Sequence, residues 1–151
     1  MSDMTSVDEI LDFAIKNEQD AVDLYTGLAT TAKSASIKKA FEQFAGEEAG
    51  HRKRLEEVKN GKRLIGSAKA IQDLKISDYL VDKELGDDPD YQDVLIFAMH
   101  QEKAAFRLYS DLSAKAEDAG LQTLFLELAQ EEAKHKLRFE VEYDDNILAE
   151  N

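Results

Sequence analysis

The sequence predicts an all-α protein, a four-helix bundle made of two duplicated antiparallel helical hairpins joined by one long crossover. Three observations predict it. Apolar residues recur in alternating steps of three and four over four stretches, the period of a helix with one buried face. The second half of the chain repeats the first at an offset of 84, the difference between Glu18 and Glu102. Only one proline and seven glycines interrupt 151 residues, of which 43% are apolar and 34% charged, a balance suited to long helices around a real core. The length fits a single domain, residues 1–151.

Taken in order, Ser6-Val7-Asp8-Glu9 has the capping-box pattern and opens the first helix. Its stripe is Val7, Leu11, Ala14, Glu18, Ala21, Tyr25, Leu28 and Ala32. Lys33-Ser34-Ala35-Ser36 is a short polar break with Ser34 or Ser36 as the next N-cap. So short a connection makes the two helices antiparallel neighbours. The second stripe is Ile37, Phe41, Phe44, Glu48, His51, Leu55 and Val58, ending near Asn60-Gly61 with a left-handed glycine stop expected. Hairpin one thus covers about 6–60 and the crossover about 61–88, with short helical pieces expected at Ala68–Leu74 and Asp78–Leu85. Hairpin two covers about 89–145, opened by Asp88 as N-cap and Pro89 as first helical residue.

The repeat aligns Phe13 with Phe97, Ala14 with Ala98, Tyr25 with Tyr109, Leu28 with Leu112 and Phe41 with Phe125. Glu47-Glu48-Ala49 and His51 meet Glu131-Glu132-Ala133 and His135, without a gap from about Val7 to Val58. Helix three therefore carries Leu95, Ala98, Glu102, Ala105, Tyr109, Leu112 and Ala116 inward. Helix four carries Leu121, Phe125, Leu128, Glu132, His135 and Phe139.

Each stripe contains a carboxylate where an apolar residue belongs, and two also contain an imidazole. A buried carboxylate without compensation costs several kcal/mol or takes up a proton, so the placement needs a cause. The first turn centres between residues 34 and 35, equidistant from Glu18 and His51. At 1.5 Å per residue both lie about 25 Å from it, level with one another. Glu102 and His135 bracket their own turn in the same way. Helices of about 27 residues are about 40 Å long, a span that the crossover covers easily. The second hairpin then runs opposite to the first, and Glu18, Glu48, His51, Glu102, Glu132 and His135 are expected at one height. Four carboxylates balance two divalent cations and leave two neutral imidazoles as further ligands. The alternative is a hydrogen-bonded His–Glu cluster without metal, which has difficulty satisfying four core carboxylates.

Composition removes other classes. A net charge of −13 disfavours nucleic acid, whose phosphates need clustered Lys and Arg, and favours cations. With no cysteine, any metal is held by His and carboxylates. Met1 to Glu9 lacks the apolar core of a signal peptide, and the longest apolar run, Val94–Met99, is far short of the roughly 20 residues of a membrane span. A cytoplasmic protein with no membrane partner is expected.

On the two Glu-x-x-His motifs, Glu18 with Tyr25, Glu102 with Tyr109 and the crossover, the chain resembles the rubrerythrin branch of the ferritin-like di-iron carboxylate superfamily. The resemblance covers nearly the whole chain. It implies a ferritin-like fold and two iron ions, with manganese or zinc as other occupants. Glu48 and Glu132 would bridge, Glu18 and Glu102 would be terminal carboxylates, and His51 and His135 the imidazole ligands. The implied activity is reduction of hydrogen peroxide or dioxygen, in defence against oxidative stress. The alternatives are ferrous-iron oxidation within a storage or detoxifying assembly and a non-catalytic metal-stabilised scaffold. Two departures stand out. The extra helix-three glutamate of typical rubrerythrins has no counterpart at Ala98 or Ala105, and the cysteine-ligated rubredoxin domain is missing, so a separate electron-donor protein is expected. The tail from Asp144 to Asn151 is too short for the fifth helix of ferritin cages.

Among other residues, Tyr25 and Tyr109 lie two turns from Glu18 and Glu102 and are read as donors that orient carboxylates, or else as plain core aromatics. Glu47 and Glu131 point about 100° away from the ligand face, toward solvent or salt bridges. His100 lies on nearly the opposite face from Glu102 and is read as a bystander. Ile96, Phe97, Phe106, Leu108, Leu124, Leu126 and Leu137 exceed what four-helix packing uses, so cover by the crossover and a homodimer interface are expected.

Overall fold

A computed structural model describes residues 7–61, 74–81, 85 and 90–145. Four long α-helices make up nearly all of it: α1 (Val7–Thr31), α2 (Ala35–Asn60), α3 (Tyr91–Lys115) and α4 (Ala119–Tyr143), with a 3₁₀ turn at Ile76–Tyr79 before α3. No strand occurs among the described residues. The chain forms two compact units, one holding α1 and α2, the other the 3₁₀ turn, α3 and α4. In each, the two long helices pack side by side as a hairpin.

The repeat extends to the helix ends. Adding 84 to Val7 and Thr31 gives Tyr91 and Lys115, the limits of α3. The caps repeat as well. The Ser34 hydroxyl accepts the Ile37 N–H at 3.2 Å, and the Asp118 carboxylate accepts the Leu121 N–H at 2.9 Å, the same positions 84 apart. Each such cap contributes about 1 kcal/mol and fixes where the second helix of its hairpin begins.

Hairpin one is held by its stripe, with Leu11, Ala14, Tyr25, Leu28, Phe41, Leu55 and Val58 buried as expected, and Ile10 and Ala29 added. Val7, Ala21, Ala32, Ile37 and Phe44 are only half-buried. Tyr25 meets the edge of Phe44 at 6.3 Å between ring centroids. Outside the stripe, Arg52 donates to Gln19 and Lys59 pairs with Asp12, linking α2 to α1.

Hairpin two buries every expected position except Ala105, which is half-buried. Tyr109 stacks on Phe125 at 6.5 Å, with planes 12° apart. At the far end, Tyr91 donates to Glu142 at 2.5 Å and Gln92 donates to Tyr143 at 3.1 Å. Beside the short turn, Gln122 donates to the Ala116 carbonyl at 2.7 Å, and Ser113 donates to the Gln122 carbonyl at 2.8 Å.

Several expectations are corrected. Helix α3 is capped by Asp90, whose carboxylate accepts the Asp93 N–H at 2.8 Å, and starts at Tyr91. It is therefore not opened by Asp88 and Pro89, which lie outside the described residues. Gly61 is not left-handed: φ is −74° and ψ −8°, and its N–H continues the helical pattern to the Glu57 carbonyl. The 3₁₀ turn begins before Asp78 and closes at Tyr79, because the Tyr79 hydroxyl donates to Asp111 of α3 at 2.6 Å and pins it there. Ser6, residues 68–73 and residues 82–84 lie outside the described residues. Of the surplus apolar residues, Leu108 is buried, Ile96, Phe97 and Leu124 are half-buried, and Phe106, Leu126 and Leu137 are exposed.

Replacing Tyr91 with Phe removes the donor to a buried carboxylate. The expected cost is about 1.5–3 kcal/mol in denaturant-induced unfolding, the usual worth of a hydrogen bond to a charged group. An unchanged midpoint would show that the contact does not stabilise the hairpin.

Candidate metal centre

The helical period that buries Leu11, Ala14 and Tyr25 also buries Glu18, and that of α2 buries Glu48 and His51 one turn apart. In hairpin two the same rule buries Glu102 on α3 and Glu132 with His135 on α4. All six residues are at most 2% exposed.

Each hairpin brings its three groups together. The Nδ1 of His51 lies 3.3 Å from Glu48 Oε1 and 3.5 Å from Glu18 Oε2. The Nδ1 of His135 lies 3.7 Å from Glu102 Oε2, through the corresponding atoms. Within each triad the candidate ligand atoms are all within 4.8 Å of one another. The α1–α2 turn thus sets Glu18 level with His51, as equal distances from it require.

The electrostatics of the triads are those of groups that share positive charge. Burial alone would lower the pKa of His51. Hydrogen bonding to Glu18 and Glu48, together with their charge, outweighs that and holds the imidazole up at about 10. In hairpin two, burial raises the Glu102 carboxyl above the usual range, against the opposing pull of His135 and Glu132. Hairpin one therefore keeps its imidazole protonated near neutral pH, a positive charge held between two buried acids.

A divalent cation fits this donor set. Two ligand atoms about 2.1 Å from one ion, at octahedral or tetrahedral angles, lie about 3.0–3.4 Å apart, close to the spacings around His51. Replacing the His51 proton by a divalent ion puts two positive charges where one stood and leaves the imidazole lone pair free to ligate. Carboxylate and imidazole without thiolate suit iron, manganese and zinc.

A family model described as Rubrerythrin matches residues 9–143. The chain belongs to the rubrerythrin family. Membership implies a metal-binding di-iron site, and the buried Glu and His groups of this rubrerythrin-family chain are able to hold metal. No curated protein and no solved structure gives a significant match.

The remaining sequence candidates are placed as follows. Tyr25 and Tyr109 are fully buried on the stripes that carry Glu18 and Glu102. Glu47 is half-buried and accepts from Gln43 at 3.1 Å, Glu131 is half-buried, and His100 is exposed. None of these three joins a metal-capable group among the described residues. One buried acid escaped the sequence reading: Glu142, 4% exposed. The signal was present, since the α4 stripe of Glu132, His135 and Phe139 continues by a step of three to Glu142. Its partner Tyr91 explains its burial without a metal. No described helix is long and apolar enough to cross a membrane.

The raised His51 pKa fixes two signs. Metal uptake displaces a proton from His51, so loading should release protons and strengthen as pH rises through neutrality. Calorimetry in buffers of different ionisation enthalpy measures the release, and buffer-independent heats would contradict the displacement. In the metal-free protein, stabilisation from charged His51 is complete below its unfolded value of 6.5 and is lost as pH rises toward about 10. Thermal melts of metal-free protein should fall across that window.

Proposed function

We propose that this chain is a non-haem di-iron oxidoreductase that reduces hydrogen peroxide or dioxygen, with electrons supplied by a separate donor protein. The observation that carries the reading is the duplicated buried triad, Glu18, Glu48 and His51 in one hairpin and Glu102, Glu132 and His135 in the other, on a family match spanning nearly the whole chain. In this reading the six residues would supply the ligands of two iron ions. Glu18, Glu48, Glu102 and Glu132 would hold them through carboxylate oxygens, and His51 and His135 through nitrogen.

When bound, the iron pair supplies the electrons that reduce the O–O bond. The protein's own contribution is threefold. In hairpin one Leu11, Ala14, Phe41 and Leu55, and in hairpin two Leu95, Ala98, Phe125 and Phe139, keep bulk water from the carboxylates of their own triad. The paired helices hold each Glu and His at fixed height. Glu102, whose carboxyl is pushed above its usual range by burial, would be suited to hold a proton in this dry setting. Tyr25 and Tyr109 are positioning donors in this proposal, orienting carboxylates through their hydroxyls. The proposal also takes the functional form to be a homodimer in the cytoplasm, with exposed Phe106, Leu126, Leu137 and Val141 as the apolar surface that a second copy would use.

His51→Ala and His135→Ala should each lose bound metal and oxidation activity, while His100→Ala keeps both. Metal analysis of protein purified without added metal, followed by stopped-flow oxidation of the reduced protein with peroxide and with oxygen, is the decisive experiment. Equal metal content in all three variants would refute the ligand assignment. Metal binding without oxidation by either oxidant would leave a scaffold and remove the enzyme.

A further inference from the structure

Outside the metal-capable triads, the described residues contain a cleft of about 270 Å³ between the 3₁₀ turn and α3. That is far more than the ~10–15 Å³ that one ordered water requires. Its two walls differ in chemistry. His100, Lys103 and Arg107 line one side at steps of three and four along α3, while Leu80 and Val81 line the other. This is a different face of α3 from that of Glu102, and the cleft shares no residue with either triad.

The cleft is held open by contacts of its own. The Arg107 guanidinium sits 5.9 Å from the centre of the Tyr79 ring and donates to the Asp78 carbonyl at 3.4 Å. Tyr79 is in turn tied to Asp111 on α3. These contacts fix the turn against the helix and preset the spacing of the walls. Lys103 and His100, by contrast, make no hydrogen bond or ion pair among the described residues.

Two features of the cleft call for an occupant. Leu80 is 58% exposed directly beside the basic row, so the cleft presents apolar surface and cationic groups side by side. The lining also runs against the charge of the whole molecule. Its Lys103 and Arg107 against Asp78 sum to +1, in a chain of net charge −13. An acidic protein that keeps a cationic niche beside an apolar wall selects for a ligand with one negative charge and an apolar body. A divalent cation is repelled there, and a neutral apolar molecule leaves the ammonium unused.

We infer that this cleft binds a small organic monoanion, a monocarboxylate whose carboxylate meets Lys103 and the outer edge of Arg107 while its apolar body covers Leu80 and Val81. His100 adds a donor to the same head group, which gives the exposed imidazole a role unrelated to metal. Arg107 is already engaged with Tyr79 and Asp78, so Lys103 supplies most of the discrimination for charge and Leu80 most of that for the apolar body.

The test is a titration of ¹⁵N-labelled full-length protein with benzoate, its neutral isostere benzyl alcohol and inorganic phosphate, followed by amide shifts. Benzoate should move the amides of residues 78–81 and 100–107 in a saturable way. Lys103→Gln should weaken benzoate at least about tenfold, the loss of a charge-assisted hydrogen bond, while the rest of the spectrum shows the fold intact. Leu80→Ser should also weaken it. Benzyl alcohol and phosphate should both bind more weakly than benzoate, because each uses only one wall. Shifts scattered over the surface, an affinity unchanged in Lys103→Gln, or alcohol or phosphate binding as well as benzoate would each overturn the assignment.

Discussion

Acid and imidazole buried at apolar positions of long helices are the constraint on which everything else in this protein turns. Desolvating a carboxylate is costly enough that the interior must return something for it, as a proton, a counter-charge or a metal ion. In hairpin one the return is a proton, held on His51 by the neighbouring Glu18 and Glu48 against the effect of burial. In hairpin two the Glu102 carboxyl holds a proton more tightly than usual, because burial outweighs its neighbours. The two triads share residue types and spacing, and each gathers positive charge around its buried acids. A divalent cation answers both.

Helix ends and caps serve that arrangement. A triad works only if Glu18 and His51 arrive level, and their heights are counted from the turn. Ser34 and Asp118 fix those turns by capping at equivalent positions. An error of one residue there would rotate a ligand by about 100° off the inner face. The cross-helix bond of Arg52 to Gln19 sits beside His51 and Glu18, those of Lys59 and Tyr91 lie farther along the helices, and all three guard the same register from outside.

Most of this was legible in the sequence because one periodic signal occurs four times and the duplication checks it. Glu18 and Glu48 stand out only because the positions before and after them, Ala14 and Leu55 among them, are apolar at helical steps. What was illegible is local. Asp87-Asp88-Pro89-Asp90 offers three acids able to cap α3, and the choice of Asp90 depends on which carboxylate reaches the Asp93 N–H. Gly61 permits a left-handed stop without requiring one, and here the helical hydrogen bond wins. The 3₁₀ turn at Ile76–Tyr79 has too little periodicity to announce itself, since the Tyr79–Asp111 bond that places it is long-range. Glu142 was missed because the stripe was followed only as far as Phe139.

The aromatic packing has one more consequence. Position 44 is Phe, whereas its repeat at 128 is Leu, so Tyr25 leans edge-on against a ring on α2 while Tyr109 lies flat against Phe125. The two halves have drifted apart in the rings that flank their acids while keeping the acids themselves. One molecule therefore holds the same three donors on two unlike supports. A difference between the halves in vibrational or magnetic spectra would report on the scaffold, since the ligating chemistry is common to both.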